Sequence, residues 1–596
     1  MKQRVADYVA EFLVTHGIKQ IFSVVGGGAM HLNNAFALEE RLNKIYNHHE
    51  QACAIAAESY SRINNEVAAV CVTSGPGGTN ALTGVLCAWQ DSLPLIVLSG
   101  QVRYDITVES TGLNLRQFGE QEYYIVRSVA PMTKYAVMIN DARTVKYHLS
   151  KALYLATTGR RGPVWLDIPL NIQGQIIDTE ELTDYVPPTC PAISPEIADK
   201  IKGELEHSQR PVLIAGSAVR TAGALGLLTQ FAAKNNIPVV CPTSTVDYFT
   251  PNDDFYFGMF GTFGSRAGNF IVQNADLIIS LGARLSFKQI GFNYQSFSPH
   301  SRKIIVDADP EELKKTTIKP ELTICADVKD VLNLLHQINV NYHNNNWWEY
   351  CRFLKQKFVA DGFNNASKSI TTKQFCHEFF QAADENTIVV LGNNTAAVSM
   401  LQHGIIKHGQ RMYGNVNCGT MGYDLPAAIG ATMAADREVY CATGEGSMQM
   451  NLQELQTIAH NNLPVKVIVF NNNKYQAIVQ THKNFFGGVL PGCTNDSGIS
   501  FPPLNKIADV YGFTHKKIST AAEIKDAVKW LIRQPNRAIL ELIQSEQDVI
   551  MPKLSSKRLN TGEIISPPLD DLFPFLSPDE YDACCYVNFN AKGSDI

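Results

Sequence analysis

The sequence predicts an α/β protein built from three blocks, each carrying a parallel sheet. Three observations lead there. Short apolar runs recur along most of the chain, and helix-prone stretches separate them, the alternation that βαβ units produce. Two polar connectors, one rich in Pro and one in Asn, divide the alternation into blocks. No stretch approaches ~18 consecutive apolar residues, so the apolar runs are core strands and not membrane spans.

The first block spans residues 1–180. Val5, Val9, Phe12 and Leu13 share one face of an amphipathic helix expected over 1–14, which Gly17 ends. That segment lacks the charged, apolar, small-residue order of a signal peptide. Strands follow at 20–25, 67–73, 93–99 and 164–168. Pro187, Pro188, Pro191 and Pro195 mark the first connector. The second block, 196–340, carries apolar runs at 211–216, 237–241, 277–281 and 303–307. An Asn-rich stretch at 341–348 closes it. In the third block, 371–550, strands are expected at 387–391, 439–442, 465–470 and 538–543. The tail, 551–596, breaks the pattern with Pro567, Pro568, Pro574 and Pro578.

Composition narrows the function classes. At 596 residues, 45% hydrophobic and 18% charged, the chain has the make-up of a large globular protein. A net charge of −6 and the lack of any Lys/Arg run speak against nucleic acid, and nothing points to a membrane. The 13 cysteines form no CxxC pair, and adjacent Cys584 and Cys585 cannot readily bridge each other. Reduced, mostly buried thiols in a cytoplasmic protein are expected.

Two short segments carry chemistry. Gly444-Glu445-Gly446-Ser447 follows the apolar run at 439–442, and Asn471-Asn472-Asn473 ends the run at 465–470. A helix-prone stretch at 450–462 lies between them. Strand, glycine turn, helix and parallel strand would bring free backbone N–H groups, the Glu445 carboxylate and the Asn472 amide oxygen to one place. N–H groups at a helix start suit a diphosphate, and hard oxygen ligands suit Mg²⁺. Alone, the pair reads equally well as an ordinary βα turn.

The spacing resembles the thiamine diphosphate (ThDP) signature, Gly-Asp-Gly followed after one βαβ unit by Asn-Asn. Glu445 stands where that family has Asp. Three αβ blocks with this signature in the last resemble the ThDP-dependent decarboxylases and carboligases. The resemblance implies three doubly wound parallel-sheet domains: pyrimidine-binding, central and diphosphate-binding. It covers residues 1–550. Glu50, in Tyr46-Asn47-His48-His49-Glu50-Gln51-Ala52, corresponds to the acid that the family sets against the aminopyrimidine ring. An acid there could equally be a helix N-terminal Glu stabilised by the helix dipole. Thr73-Ser74-Gly75-Pro76-Gly77-Gly78-Thr79-Asn80 is similar to the loop beside pyrimidine and substrate, through Gly77. Gly419-Thr420-Met421-Gly422 implies that the Gly419 backbone faces the aminopyrimidine and that Met421 supports the thiazolium. Core packing is the plain alternative for Met421. Gly392-Asn393-Asn394 resembles the diphosphate-contacting turn, and Gly444, Gly446, Ser447, Tyr475 and Ile478 complete the implied cofactor set. Glu445, Asn472 and the Lys474 carbonyl are the implied Mg²⁺ ligands.

Within that family the chain is most similar to the acetohydroxyacid (acetolactate) synthases. Residues 115–122 resemble their segment ending Phe-Gln-Glu, with Glu120 in place of Phe. That makes Gln121 the implied active-site glutamine and Lys134 the nearby basic residue. Pyruvate decarboxylases carry a His-His pair in this region. Here no histidine lies between Gln101 and Met132, which favours attack on a second carbonyl over release of an aldehyde. His48-His49 is expected to be structural. Thr481 occupies the place of the family's substrate-side Trp, so the acceptor site should be wider and more polar. The turn 282–286, with Gly282 and Arg284, and the segment 259–264 resemble FAD-contacting turns; any FAD would be structural. Pyruvate or another 2-keto acid plus a carbonyl acceptor are the implied substrates, in a homodimer or homotetramer with the active site between subunits. Three readings stay open: an acetolactate synthase proper, a carboligase that adds an acetyl unit to a nucleotide-linked ketosugar, and a non-catalytic ThDP-binding relative. Glu445 in place of Asp is the best support for the last.

Overall fold

A computed structural model describes residues 1–189, 192–340, 342, 344–359, 368–393, 395–545, 548–559 and 561–593. Asn394, expected at the diphosphate turn, lies outside them, as do Pro191 and Asn341 of the two connectors.

Three six-stranded sheets form in chain order. The first runs Asn43–Tyr46, Gln20–Ser23, Ala68–Val72, Leu95–Gln101, Val164–Pro169, Tyr135–Met138. The second runs Tyr256–Met259, Val239–Cys241, Pro211–Ala215, Leu277–Leu281, Arg302–Asp307, Leu322–Cys325. The third runs Arg411–Gly414, Ile388–Leu391, Val439–Gly444, Val465–Asn471, Ala538–Ile543, Thr514–Ile518. Every pairing in these sheets is parallel. The fold is thus the expected three-domain α/β class.

In each sheet the four interior strands coincide with the apolar runs, and the two edge strands were not foreseen. A strand buried on both faces must be apolar throughout, as Ala68–Val72 is, whereas an edge strand such as Thr514–Ile518 keeps polar, half-exposed positions. The N-terminal expectation also needs correction. Lys2–Arg4 pairs antiparallel with Ile176–Asp178, and the helix starts only at Val5.

The first and third domains share one apolar core, in which Phe22, Ile55 and Val70 meet Tyr423, Ile429 and Val467. Its axis is the helix Glu50–Asn64, laid against the helix Asp424–Ala434. Ser59 Oγ donates to Ala427 O at 2.6 Å, and any Cβ at Gly430 would overlap the carbonyl of Ala56. The second domain keeps its own core and recruits the tail to it, through Leu569, Cys584 and Tyr586. Tyr350 Oη donates to Cys584 O at 2.7 Å, and Arg266 to Leu572 O at 3.2 Å. The 12 described cysteines are unpaired. Among the described residues, no helix is long and apolar enough to cross a membrane.

Candidate active site

At the C-terminal end of the first sheet, the helix Glu50–Asn64 begins directly after a short turn. His49 caps it, its Nδ1 accepting from the backbone N–H of Gln51 at 3.1 Å. The His48 N–H donates to Glu454 Oε1 at 3.0 Å. The His49 ring therefore serves the helix start, and His48 is held through its backbone. Glu50 is 9% exposed, and its Oε2 accepts from Asn80 Nδ2 at 2.9 Å. A Cβ on Gly77 would lie 3.6 Å from Glu50 Oε1, so the glycine loop and the acid face each other. Gly75 turns that loop at φ 58°, and a side chain there would strike the carbonyl of Gln121. Gln121 itself adopts φ 57° and exposes its side chain.

The loop carrying Gln121 is tied down by two buried acids that the sequence reading passed over. Glu122 accepts from Val108 N at 2.9 Å and from Phe118 N at 3.1 Å. Gln101 Nε2 bridges Asp167 Oδ2, at 3.1 Å, and Tyr123 O, at 2.8 Å. Asp167 also accepts from Ser99 Oγ at 2.6 Å, and burial pushes its carboxyl up to about 7. Lys134 is elsewhere. It precedes Tyr135–Met138, at the opposite end of the parallel sheet, and its Nζ donates to Thr158 O at 2.7 Å. Burial lowers its ammonium to about 8. Within one chain the fold does not bring Lys134 to Glu50 and Gln121.

At the C-terminal end of the third sheet, the register Gly444↔Phe470 sets the two motif turns side by side. Glu445 is 5% exposed, and its Oε1 accepts from Lys474 N at 3.0 Å. Burial pushes Glu445 up to about 7, against the backbone N–H groups of residues 472–474 that pull it down. Asn472 Nδ2 donates to Gln544 Oε1 at 3.1 Å, while its Oδ1 is buried and has no hydrogen-bond partner. A buried acid without a cation and an orphaned amide oxygen are an incomplete hard-oxygen shell. Among the described residues, no three His, Cys, Asp or Glu side chains gather to hold a metal. The donors present, one carboxylate with amide and carbonyl oxygens, fit Mg²⁺ and do not fit Zn²⁺.

The remaining expected residues collect around these turns. Asn393 Nδ2 donates to Gly419 O, and Gly419 bends the chain at φ 65° before the half-buried Met421. A Cβ on Gly446 would strike the ring of Tyr475, and one on Gly392 would lie 2.6 Å from Asp424 Oδ2. Ser447 Oγ donates to Asp424 Oδ2 at 2.5 Å and accepts from Gly422 N at 3.0 Å. Its hydroxyl is thus committed within the protein, leaving its backbone N–H for a ligand. Ile478 is 45% exposed, and Thr481 is exposed beyond it.

In the second domain the strand order reverses between Pro211–Ala215 and Leu277–Leu281, the place where doubly wound sheets bind nucleotides. A cleft open to solvent lies there beside Gly282, Arg284, Ser217 and Asp307. Arg284 donates to Gln90 O at 2.7 Å and to Glu312 Oε1 at 3.2 Å. Arg161 also lines the cleft, with one long contact to Asn65 O at 3.5 Å. A guanidinium group as lightly engaged as that of Arg161, at a switch point, suits a dinucleotide's phosphates. The segment 259–264 does not line this cleft; Thr262 O instead accepts from Leu554 N of the tail at 2.7 Å.

Three profiles of one family match the chain. They are the N-terminal TPP binding domain of thiamine pyrophosphate enzymes over residues 3–121, the central domain over 198–335, and the C-terminal TPP binding domain over 391–542. The acetolactate synthase isozyme 1 large subunit of Escherichia coli (strain K12) is 28% identical over 558 residues, 93% of this chain and 96% of that protein. The acetolactate synthase large subunit of Lactococcus lactis (strain IL1403) is 29% identical over 572 residues, 94% and 96% respectively. That of Cyanidium caldarium is 29% identical over 570 residues, 92% and 95%.

Proposed function

The chain belongs to the thiamine pyrophosphate enzyme family, and on that footing we propose that it is a carboligase of the acetolactate synthase kind. It decarboxylates pyruvate, or a related 2-keto acid, and transfers the two-carbon unit to a second carbonyl. The observation that carries this is the pairing of two half-built sites: the Glu50–Asn80 acid at one sheet end, and the buried Glu445 carboxylate with the orphaned Asn472 oxygen at another.

When bound, thiamine diphosphate supplies a nucleophilic carbon and an electron sink for decarboxylation. The protein's residues do the rest. Glu50, steadied by Asn80, would hold a proton for the aminopyrimidine ring nitrogen. Glu445, Asn472 and the Lys474 carbonyl would hold Mg²⁺ against the diphosphate, whose other contacts are the turns at Gly392, Asn393, Gly444, Gly446 and Ser447. Gly419 and Met421 would support the ring system, with Tyr475 and Ile478 as walls. Gln121 would face the acceptor. No imidazole stands between Gln101 and Met132 to quench the two-carbon unit with a proton, which supports ligation. We assign Lys134 no step.

A second copy of the chain is proposed to complete the site. Leu113, Phe118, Ile478, Phe485 and Phe486 are each at least 45% exposed, too much apolar surface to leave in water near a catalytic site. The switch-point cleft at Gly282, Arg284 and Arg161 would hold FAD as a structural group. Unpaired cysteines are compatible with a reducing, cytoplasmic setting.

A nucleotide-linked ketosugar as acceptor is the second reading. The exposed Thr481 in place of a bulky Trp favours it, because the acceptor side is then open and polar. The test is mass spectrometry of products from ¹³C-labelled pyruvate, alone and with candidate acceptors. Labelled acetolactate from pyruvate alone is the expected result, and labelled adducts only with a ketosugar would select the second reading. Metal-dependent cofactor binding without any carbon dioxide release would overturn both in favour of a non-catalytic relative.

A further inference from the structure

Asp424 opens the helix Asp424–Ala434, fully buried, and no cation is among the groups that set its charge. Its Oδ2 accepts from Thr443 Oγ at 2.7 Å and from Ser447 Oγ at 2.5 Å; its Oδ1 accepts from the Leu425 N–H at 2.9 Å. Ser447 Oγ in turn accepts from the Gly422 N–H at 3.0 Å. The same carboxylate lies 2.6 Å from where a Gly392 Cβ would be. One side chain therefore touches, directly or through one hydroxyl, three separate turns: those at Gly392, Gly422 and Gly444–Ser447.

Burying a carboxylate without a counter-ion is costly, and burial pushes Asp424 upward against its three hydrogen bonds. A neutral side chain would avoid that cost. An added anion next to a diphosphate is also unfavourable by Coulomb's law. The gain must lie in geometry, since only a carboxylate accepts from both hydroxyls and still accepts from a backbone N–H. We infer that Asp424 is a positioning residue for the diphosphate end of the cofactor, fixing the relative placement of these three turns through Ser447. The inference rests on the thiamine diphosphate reading above.

The test is titration of the cofactor-free protein with thiamine diphosphate at saturating Mg²⁺, read by intrinsic fluorescence and by the rise in Tm. Asp424→Asn should bind about tenfold more weakly or worse, as expected for loss of charged hydrogen bonds, while the cofactor-free Tm stays near wild type. Ser447→Ala should show the same loss, and the double variant should be no worse than Asp424→Asn alone. Binding by Asp424→Asn as tight as wild type, or tighter, overturns the inference, as does full additivity. A drop confined to the cofactor-free Tm would make Asp424 merely structural and overturn it too. Should Asp424→Asn not fold, Ser447→Ala decides alone: weakened binding supports the inference and unchanged binding overturns it. A wild-type protein indifferent to thiamine diphosphate and Mg²⁺ would instead overturn the cofactor reading beneath it.

Discussion

The side-chain amide of Asn80 reaches back across the Gly75–Gly77 turn to donate to the Glu50 carboxylate at 2.9 Å. The acid is thus held in one orientation at the mouth of the first sheet by a residue on the next helix. Glu50→Gln keeps the shape and removes the acid. Carbon dioxide release from pyruvate should fall by about 100-fold or more, the usual worth of a general acid. Thiamine diphosphate binding should change little. Wild-type turnover in the variant would remove Glu50 from the chemistry.

Asn472 Oδ1 and the Glu445 carboxylate should act as one cation shell. Asn472→Leu relieves the orphaned oxygen but removes the donor to Gln544 Oε1, so the cofactor-free Tm should change little, while cofactor retention at low Mg²⁺ should drop by about tenfold or more. Gel filtration followed by thiamine quantification measures this. Retention at the wild-type level would show that the metal, if any, sits elsewhere.

Asp167 supplies a pH dependence. Its folded-state value, pushed to about 7 by burial, lies above the ordinary 3.8. Between roughly pH 4 and 7 the folded chain keeps a proton that the unfolded chain releases, so this contribution to stability is lost as pH rises through 7. The full shift corresponds to at most about 4 kcal/mol. The cofactor-free Tm should therefore fall from pH 5 to 8, and less steeply in Asp167→Asn. Parallel curves for the two proteins would refute the assignment.

Gly430 meets the backbone of Ala56 where the first and third domains join. Gly430→Ala should destabilise the chain by about 1–3 kcal/mol, the cost of overpacking a tight contact. Differential scanning fluorimetry should show a lower Tm; an unchanged Tm would mean that the helix pair slides apart at no cost.

How much of this was legible beforehand follows from burial. Val439–Gly444 and its interior neighbours are apolar on both faces and announce themselves. Asn43–Tyr46 and Leu322–Cys325 lie at sheet edges, where Lys and Thr are tolerated, and no period marks them. The motif turns were visible because glycine, carboxylate and amide stand at fixed spacing. Asp424 was not, because an acid in the first turn of a helix is ordinary. Nothing in a single sequence reveals that two hydroxyls from another segment will point at it. Lys134 shows the opposite failure: the family resemblance implied a site shared with Gln121, yet the helix Ile125–Val129 between them leads back to the start of the strand Tyr135–Met138, so Lys134 stands at the N-terminal end of the sheet.

The helix Glu50–Asn64 is enclosed on nearly every side, yet its partner Ala427 comes 368 residues after Ser59. At 5–20 residues per second, a ribosome takes about 20–70 seconds to deliver that partner. Throughout that interval an Ala- and Ile-rich surface made early in synthesis has nothing to cover it. The nascent chain must therefore be shielded until translation has passed the third domain's first helices, and a stalled or truncated product would aggregate through the very surface that the finished protein hides.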